Sequence, residues 1–261
     1  MNALRIALLY WRVAALNELQ YRANFFIQLI QAGIGFGAGV AVILLVFSHT
    51  DELNGWDAYE LLALFGVQMM LGGVLRAAVQ PAMQKLMDDV REGTLDYVLT
   101  KPLDAQLLVS VREARVWRLV DALGGLTIIV FAVTQVERAV GLEDAAGFLV
   151  MISLGAAMLY CFWLVLATMA FWVVRIWAVT DMFEGLYQTG RWPIGIYPGW
   201  LRYGLTFLVP IGFAVTVPAR AVTARLDWDA AAGATAFALV AIVVSRAVFR
   251  RGLRSYSGAS A

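Results

Sequence analysis

Long uncharged apolar runs alternate with short polar connections along the chain. The first run, Ala23–Thr50, has 28 residues without an Asp, Glu, Lys or Arg. At about 1.5 Å of rise per residue, roughly 20 apolar residues in a helix cross a hydrocarbon core of about 30 Å. Barrel strands alternate over about ten residues, so runs of this length favour helices. The pattern predicts an all-α integral membrane protein.

Charges divide the apolar sequence into six predicted transmembrane helices. These are Phe25–Phe47, Leu61–Leu75, Ala122–Val136, Phe148–Thr168, Phe171–Gln188 and Ala230–Val248. Ala145–Val174 is uncharged, so one long tilted helix is an alternative for the fourth and fifth. A further apolar stretch, Tyr203–Ala219, contains Pro210 and Pro218. Because proline breaks the helical hydrogen-bond ladder, this stretch predicts a re-entrant pair of short helices rather than a span.

The first 22 residues predict a helix that lies along the membrane surface. One helical face collects Leu4, Leu8, Trp11, Ala15 and Leu19, which is typical of interfacial helices. The alternative is that this segment forms the cytoplasmic end of a long first helix. The sequence is therefore divided into an interfacial helix, residues 1–22, and one transmembrane domain, residues 23–261.

The distribution of basic residues predicts the orientation. Of the 20 Lys and Arg residues, 14 lie before Ala23, between Arg76 and Arg118, or from Arg246 onwards. The first outer connection, His49–Glu60, has four carboxylates and no Lys or Arg. Because cytoplasmic connections retain Lys and Arg, both termini are predicted to be cytoplasmic.

Composition excludes several function classes. The chain is 61% hydrophobic and 15% charged, whereas average proteins have about 25% charged residues. Its net charge of +1 argues against nucleic acid as a partner, which needs a concentrated basic surface. With Cys161 as the single cysteine and His49 as the single histidine, no disulfide and no metal site are expected. The sequence has no P-loop motif, G-x-x-x-x-G-K-[ST], so it is not expected to bind ATP through one.

The most informative polar segment is residues 83–103, MQKLMDDVREGTLDYVLTKPL, in the long inner connection. Leu86 and Val90 have helical spacing, Gly93 suits a C-terminal cap, and Pro102 marks another stop. The segment predicts a short amphipathic helix at the inner membrane face. It could dock into another protein through Leu95, Val98 and Leu99, or lie among the lipid headgroups as a simple connection.

Two motifs resemble a known family. The pattern REGTLDYVLTKPL, Arg91–Leu103, lies between a second and a third predicted membrane helix, and RWPIGIYPGWLRYGLTFLVPIGFAVTVPARAV, Arg191–Val222, lies before the last one. Both resemble the type-2 ATP-binding-cassette (ABC) exporter permeases. The bacterial branch whose two membrane subunits are different proteins beside one ATPase looks most similar.

The resemblance implies a set of roles for particular residues. It assigns coupling to an ATPase to Asp89, Arg91, Glu92, Gly93, Leu95, Val98, Leu99, Lys101 and Pro102. It places outer re-entrant helices within Arg191–Asp229, with Pro193, Pro198, Pro210, Pro218 and Arg220 as their marker residues. It also implies two copies of a separate ABC ATPase that binds ATP and Mg, a second permease, and a place in the bacterial inner membrane among its lipids.

Other candidate residues come from the predicted helices themselves. Asp181 and Glu184 lie three residues apart near Arg175 and could form a substrate or proton site, since ionisable groups within the membrane are often functional. Simple ion pairing is the alternative. The glycines Gly33, Gly35, Gly37 and Gly39 have G-x-x-x-G spacing, which favours close helix packing. A stand-alone secondary transporter or channel, with Asp181 and Glu184 as its ion relay, is the rival function.

Overall fold

The computed structural model describes residues 3–19, 22–136, 138–173 and 177–256, and within them it contains twelve α-helices and no strand. This confirms the all-α prediction. The helices are α1 Ala3–Leu19, α2 Arg22–Phe47, α3 Ala58–Val74, α4 Gln80–Glu92, α5 Asp96–Leu99, α6 Ala105–Val111, α7 Leu119–Gln135, α8 Leu142–Thr168, α9 Trp177–Tyr187, α10 Gly199–Tyr203, α11 Val217–Val222 and α12 Trp228–Ser255. Short 3₁₀ or π segments join them at Leu75–Val79, Val116–Arg118, Met169–Phe171, Gln188–Arg191, Ile194–Ile196, Gly204–Leu208 and Gly212–Thr216.

Five helical stretches are long and apolar enough to cross a membrane. They are Phe26–Phe47, Ala58–Glu92, Val116–Gln135, Leu142–Phe171 and Trp228–Ser255. The first, third, fourth and sixth predicted spans match four of these stretches, with at most one residue of each lying outside. The second span was predicted to end at Leu75, but its helix continues without interruption to Glu92. The amphipathic segment after Met83 is therefore the extension of this span.

The fifth predicted span, Phe171–Gln188, is not one of these long helices. A 3₁₀ turn at Met169–Phe171 follows α8, and the helix beyond it, α9, has 11 residues; residues 174–176 lie outside the described part. Helix α8 instead begins earlier than predicted, at Leu142, with Glu143 in its first turn. Carboxylates are favourable beside the positive end of a helix dipole, so an acidic residue there does not end the helix.

Glycines let the central helices pack closely. A Cβ on Gly73 of α3 would lie 2.3 Å from the backbone nitrogen of Ala122 on α7. A Cβ on Gly125 of α7 would lie 2.4 Å from the backbone nitrogen of Met70. Helices α3 and α7 therefore approach each other backbone to backbone. Helix α8 packs on the other side of the core against α11 and α12.

Each of the three π-helical segments ends two residues before a proline. Leu75–Val79 precedes Pro81, Gly204–Leu208 precedes Pro210, and Gly212–Thr216 precedes Pro218. Proline has no N–H to donate to the carbonyl four residues earlier, so the helix widens there. For Pro81 that carbonyl belongs to Ala77, and it accepts a hydrogen bond of 2.7 Å from the backbone N–H of Arg115.

The helices on either side of Pro210 form a bent pair. Gly199–Leu208 and Gly212–Val222 meet at an angle of 81°. Both ends of the pair lie beside the Asn54–Gly55 turn. Just before the first helix, a Cβ on Gly195 would lie 2.0 Å from Nδ2 of Asn54. Just after the second helix, Arg225 donates a 2.7 Å hydrogen bond to the Gly55 carbonyl.

A buried carboxylate joins the connections at the end of the bundle that contains the Asn54–Gly55 turn. Glu60 is 3% exposed and forms a capping box with Asp57, which starts α3. Its side chain also pairs with Arg138, at 3.0 Å, and with Arg225. The guanidinium of Arg225 lies 5.5 Å from the centre of the Trp56 ring. Glu60 thus joins the connections before α3, before α8 and before α12.

Helices α1 and α2 lie at the edge of the bundle. In the apolar stretch of α2 only 11% of the residues are buried, against 61% for Ala58–Glu92. Among its glycines, a Cβ would contact a neighbour only at Gly39, which faces Phe65. Helix α1 packs against α6 and the Val116–Arg118 segment, and residues 20–21 between α1 and α2 lie outside the described part.

Candidate functional site

A polar cavity of about 350 Å³ lies between α2, α3, α7 and the α9 segment. Its lining combines charged, amide and apolar side chains: Gln31, Ala32, Gly35, Phe36, Phe65, Gln68, Met69, Arg76, Arg118, Asp121, Glu184, Gln188 and Arg191. Along the Ala58–Glu92 helix the lining extends from Phe65 to Arg76, which is about 16 Å of helix at 1.5 Å per residue. The cavity therefore follows this helix for about three turns.

A guanidinium at one end of this cavity joins three helices. Arg76 lies 3.1 Å from Asp121 on α7 and 3.3 Å from Glu184 on α9. Gln80 donates a 2.7 Å hydrogen bond to the second oxygen of Glu184. Arg118 lies 3.9 Å from Asp121. Both carboxylates that line the cavity are therefore paired with guanidinium groups, and for Asp121, which is buried, such pairing is required.

The α9 side of the cavity is held in place by a hydrogen bond to α3 and by a close glycine contact with the bent pair. Tyr187 is buried and donates a 2.8 Å hydrogen bond from its hydroxyl to the Gln68 carbonyl, which binds α9 to α3. A Cβ on Gly190 would lie 2.7 Å from Ile211 at the turn of the bent pair. The absence of a side chain at 190 therefore lets the segment after α9 approach this turn. The next residue, Arg191, donates to the Gln188 side chain, and its Nε is buried without a hydrogen-bond partner.

The sequence identified one residue of this cavity as a pathway candidate. That residue is Glu184; the side chain of Asp181 and all of Arg175 lie outside the described part. Glu184 does form an ion pair, but its partner is Arg76, 108 residues away in the chain. Sequence reasoning missed Arg76, Asp121 and Arg191, although a charge within an apolar helix is the signal that marks such residues.

The predicted coupling segment is organised around a buried aspartate. Asp89 is 3% exposed and binds Lys85 at 2.8 Å, Arg112, and the Thr94 hydroxyl at 3.1 Å. Its partners come from α4, from the residue after α6, and from the turn after α4. Gly93 ends α4 with φ 71°, a left-handed conformation that confirms the predicted cap. From its buried position Asp89 therefore holds together α4, the turn after α4 and the end of α6.

Two of the side chains predicted to dock another protein are instead part of the chain's own core. Leu95 is 0% exposed and Val98 7%, because α5 folds back so that this face of its short turn packs inwards. The exposed residues between Arg91 and Pro102 are Arg91, Glu92, Tyr97, Leu99, Thr100, Lys101 and Pro102. We call these seven residues the coupling surface. Tyr97, at 77% exposed, is its most prominent side chain and was not among the predicted residues.

A second polar cluster joins α6 to α8 and α12. Arg246 pairs with Asp104 through two hydrogen bonds and also donates to Gln106 at 2.7 Å. Gln106 donates to the Tyr160 hydroxyl at 3.1 Å, which also shares a 2.8 Å hydrogen bond with Ser110. The hydrogen bonds from Arg246 lower the pKa of Asp104 to about 2. The cluster connects the end of the coupling segment to the last helix.

The marker residues of the predicted outer segment occupy the bent pair and its approach. Pro193, Pro210 and Pro218 are buried, whereas Pro198 is exposed and precedes α10. Arg220 lies in α11, and its carbonyl accepts a 2.8 Å hydrogen bond from the backbone N–H of Arg225. The prolines thus mark the start of the pair, its bend and its second arm.

A family model described as ABC-2 family transporter protein matches residues 36–260. This match spans most of the chain, and the protein therefore belongs to the ABC-2 transporter family, as the two motifs indicated. It is a multi-pass membrane protein of the permease type, and this family implies association with an ATPase subunit. No curated protein and no solved structure matches the chain.

Proposed function

We propose that the chain is the membrane subunit of an ATP-driven exporter, and that it forms the translocation pathway with a second permease. The observation that carries the proposal is the polar cavity of an ABC-2 family protein, bounded on one side by the largely uncovered helix α2. Charged groups at this depth are costly and usually face a pathway or another chain. The lining of this cavity is proposed to be the part of the pathway wall that this subunit contributes.

The uncovered face of α2 supports pairing with a second permease. On Gly33 and Gly37, which are four residues apart and share one helix face, an added Cβ would meet nothing within 4 Å. Small residues on an open helix face permit close approach of another helix in lipid. The family resemblance favours a different chain rather than a second copy.

The coupling surface is the proposed docking site for the ATPase, which binds ATP and Mg and is expected in two copies. Its charged residues, Arg91 and Glu92, would set the register, while Tyr97 and Leu99 would enter a groove. The continuous helix Ala58–Glu92 leads from this surface to Arg76 in the cavity. ATP binding would favour one of two arrangements of this helix, which is what coupling requires.

The bent pair is proposed to re-enter the membrane from the outer side. Its two ends meet at the same Asn54–Gly55 turn, and such a geometry suits re-entry better than a crossing. The breaks at Pro210 and Pro218 are tolerated because the surrounding helices bury them. A fifth crossing by the whole segment between α8 and the bent pair, of which α9 is the central part, then places both termini in the cytoplasm, with the chain in the bacterial inner membrane.

Co-purification tests the proposed function. The tagged chain, purified from its native host with the neighbouring genes intact, is expected to bring a second permease and two ATPase copies and to hydrolyse ATP. Transport by the isolated 28.6 kDa chain in liposomes, without any ATPase, would overturn the exporter proposal. That result would favour the secondary transporter or channel.

A further inference from the structure

The charges that line the polar cavity do not balance. Three guanidinium groups, of Arg76, Arg118 and Arg191, face two carboxylates, of Asp121 and Glu184. Arg76 contacts both carboxylates, and Arg118 is next to Asp121. Among the described residues that line the cavity, one positive charge is therefore in excess.

That excess charge belongs to Arg191. No carboxylate in the described part of the chain lies within salt-bridge distance of it, and its one hydrogen bond goes to the neutral amide of Gln188. Its Nε is buried and has no acceptor. The guanidinium is half-buried, with one N–H inside the protein and no counter-ion, so a negatively charged ligand would be bound favourably there.

The neutral part of the lining suits a ligand with further polar groups. Gln31, Gln68 and Gln188 carry amides that can donate and accept hydrogen bonds. Phe36 of α2 and Phe65 of α3 add apolar area to the lining. Cavities of roughly 300–1,000 Å³ hold small-molecule ligands or parts of larger ones.

We propose that this cavity selects substrates that present an anionic oxygen group, a phosphate or a carboxylate, to Arg191. The inference rests on the proposed function, because it names the substrate class for the same pathway. A lipid headgroup and a soluble phosphate or carboxylate share this chemistry. Neutral and cationic amphiphiles would lack a partner for the guanidinium and would be bound more weakly.

A matched series of twelve-carbon amphiphiles tests the selection. Dodecyl phosphate, dodecanol and dodecyltrimethylammonium differ in their head groups, and glycerol phosphate presents a phosphate without the long chain. Each is added to the complex of permease and ATPase in phosphatidylcholine nanodiscs, and binding and ATPase stimulation are measured against empty nanodiscs. Dodecyl phosphate is expected to bind most tightly. If glycerol phosphate competes with dodecyl phosphate, the substrate is a soluble anion. If it does not compete, the substrate is a lipid with an anionic headgroup.

Three variants connect the selection to the guanidinium. Arg191→Gln is expected to weaken dodecyl phosphate binding roughly 10- to 100-fold, the range of a charged hydrogen bond, and to leave dodecanol binding unchanged. Arg191→Lys should restore part of the preference. The matched control is Arg250→Gln, which removes an exposed arginine of α12 outside the cavity and should change neither binding nor melting temperature.

Two results separate this inference from the proposed function. If the complex assembles and hydrolyses ATP but binds the three amphiphiles equally, the anionic selection is wrong and the exporter proposal stands. The selection is also wrong if Arg191→Gln keeps the wild-type preference at an unchanged melting temperature. Failure to recover any ATPase with the chain contradicts the proposed function itself.

Discussion

Three carboxylates of the described residues are buried, and each joins segments that are distant in sequence. Glu60 binds Arg138 and Arg225, Asp121 binds Arg76, and Asp89 binds Arg112. Replacing a whole buried ion pair by apolar residues is often neutral, whereas removing one partner costs about 3–5 kcal/mol. The main effect of these pairs is therefore to fix the relative positions of the helices. Their net contribution to the free energy of unfolding is small.

The coupling surface can be tested by two aspartate substitutions that differ in burial. Tyr97→Asp changes a side chain that is 77% exposed, so the permease should fold with an unchanged melting temperature and lose its ATPase in a pull-down. Leu95→Asp places a charge at a fully buried position and should destabilise the permease by at least about 3 kcal/mol. Thermal unfolding of both variants in detergent, with the pull-down, provides the comparison.

A matched control and a contrary result complete this test. Tyr59→Asp changes an exposed tyrosine, 42% accessible, at the opposite end of the Ala58–Glu92 helix and should retain the ATPase. If Tyr97→Asp binds the ATPase and supports full ATP hydrolysis, the coupling surface is assigned to the wrong residues.

The pair of Asp104 and Arg246 makes one contact of α6 dependent on pH. The pKa of Asp104 lies below its ordinary value of 3.8, at about 2, so the folded state favours the ionised form. The stabilisation is complete above about pH 4 to 5 and is lost as the pH falls towards 2. Asp104→Asn should lower the melting temperature at pH 7, and the difference from wild type should shrink by pH 3. A difference that stays constant over this range would contradict the contribution of the ion pair.

At the scale of elements, the sequence indicated where helices break better than where they continue. Pro210 predicted the bend, and Gly93 predicted the end of α4, because both residues act on the backbone locally. Arg76 was treated as the end of a span, yet the helix passes through it. Its charge is neutralised by Asp121 and Glu184, 45 and 108 residues away, and such pairing cannot be read from local sequence.

Glycines in helices have two different roles, and one pair of variants separates them. Gly73→Val would force a side chain against the α7 backbone, where even the Cβ would be 2.3 Å from Ala122. We expect a loss of at least about 1–3 kcal/mol, typical of an overpacked core. Gly37→Val meets open space, so the chain should keep its melting temperature but lose its second permease. Unfolding in detergent and co-purification of the partner measure the two effects.

A mild control variant and a contrary result show whether a second permease covers the open face of α2. Gly33→Ala adds only a methyl group on the same open side of α2 and serves as the mild control, with partial loss of pairing at most. If Gly37→Val retains the second permease in full, the Gly33 and Gly37 face is covered by lipid instead.

At the scale of the whole molecule, composition and apolar runs were sufficient to predict a helical membrane protein. The two motifs were sufficient for the family. The polar cavity could not be predicted, because its lining comes from four separate segments between Gln31 and Arg191. The number of crossings also depends on packing, since α9 is short and the bent pair is apolar. By length and composition alone the bent pair could be a further crossing, whereas the contacts of both its ends with the Asn54–Gly55 turn favour re-entry.

Cysteine labelling decides between these two topologies. In a Cys161→Ser background, single cysteines replace Asp51, Gly199, Asp229 and Ser255, all of which are exposed. If the bent pair re-enters from the outer side, an impermeant thiol reagent should label positions 51, 199 and 229 in intact cells, and position 255 only after permeabilisation. If the pair crosses the membrane, positions 199 and 229 should lie on opposite sides. Labelling of position 255 in intact cells, with position 51 protected, would refute the orientation derived from the basic residues.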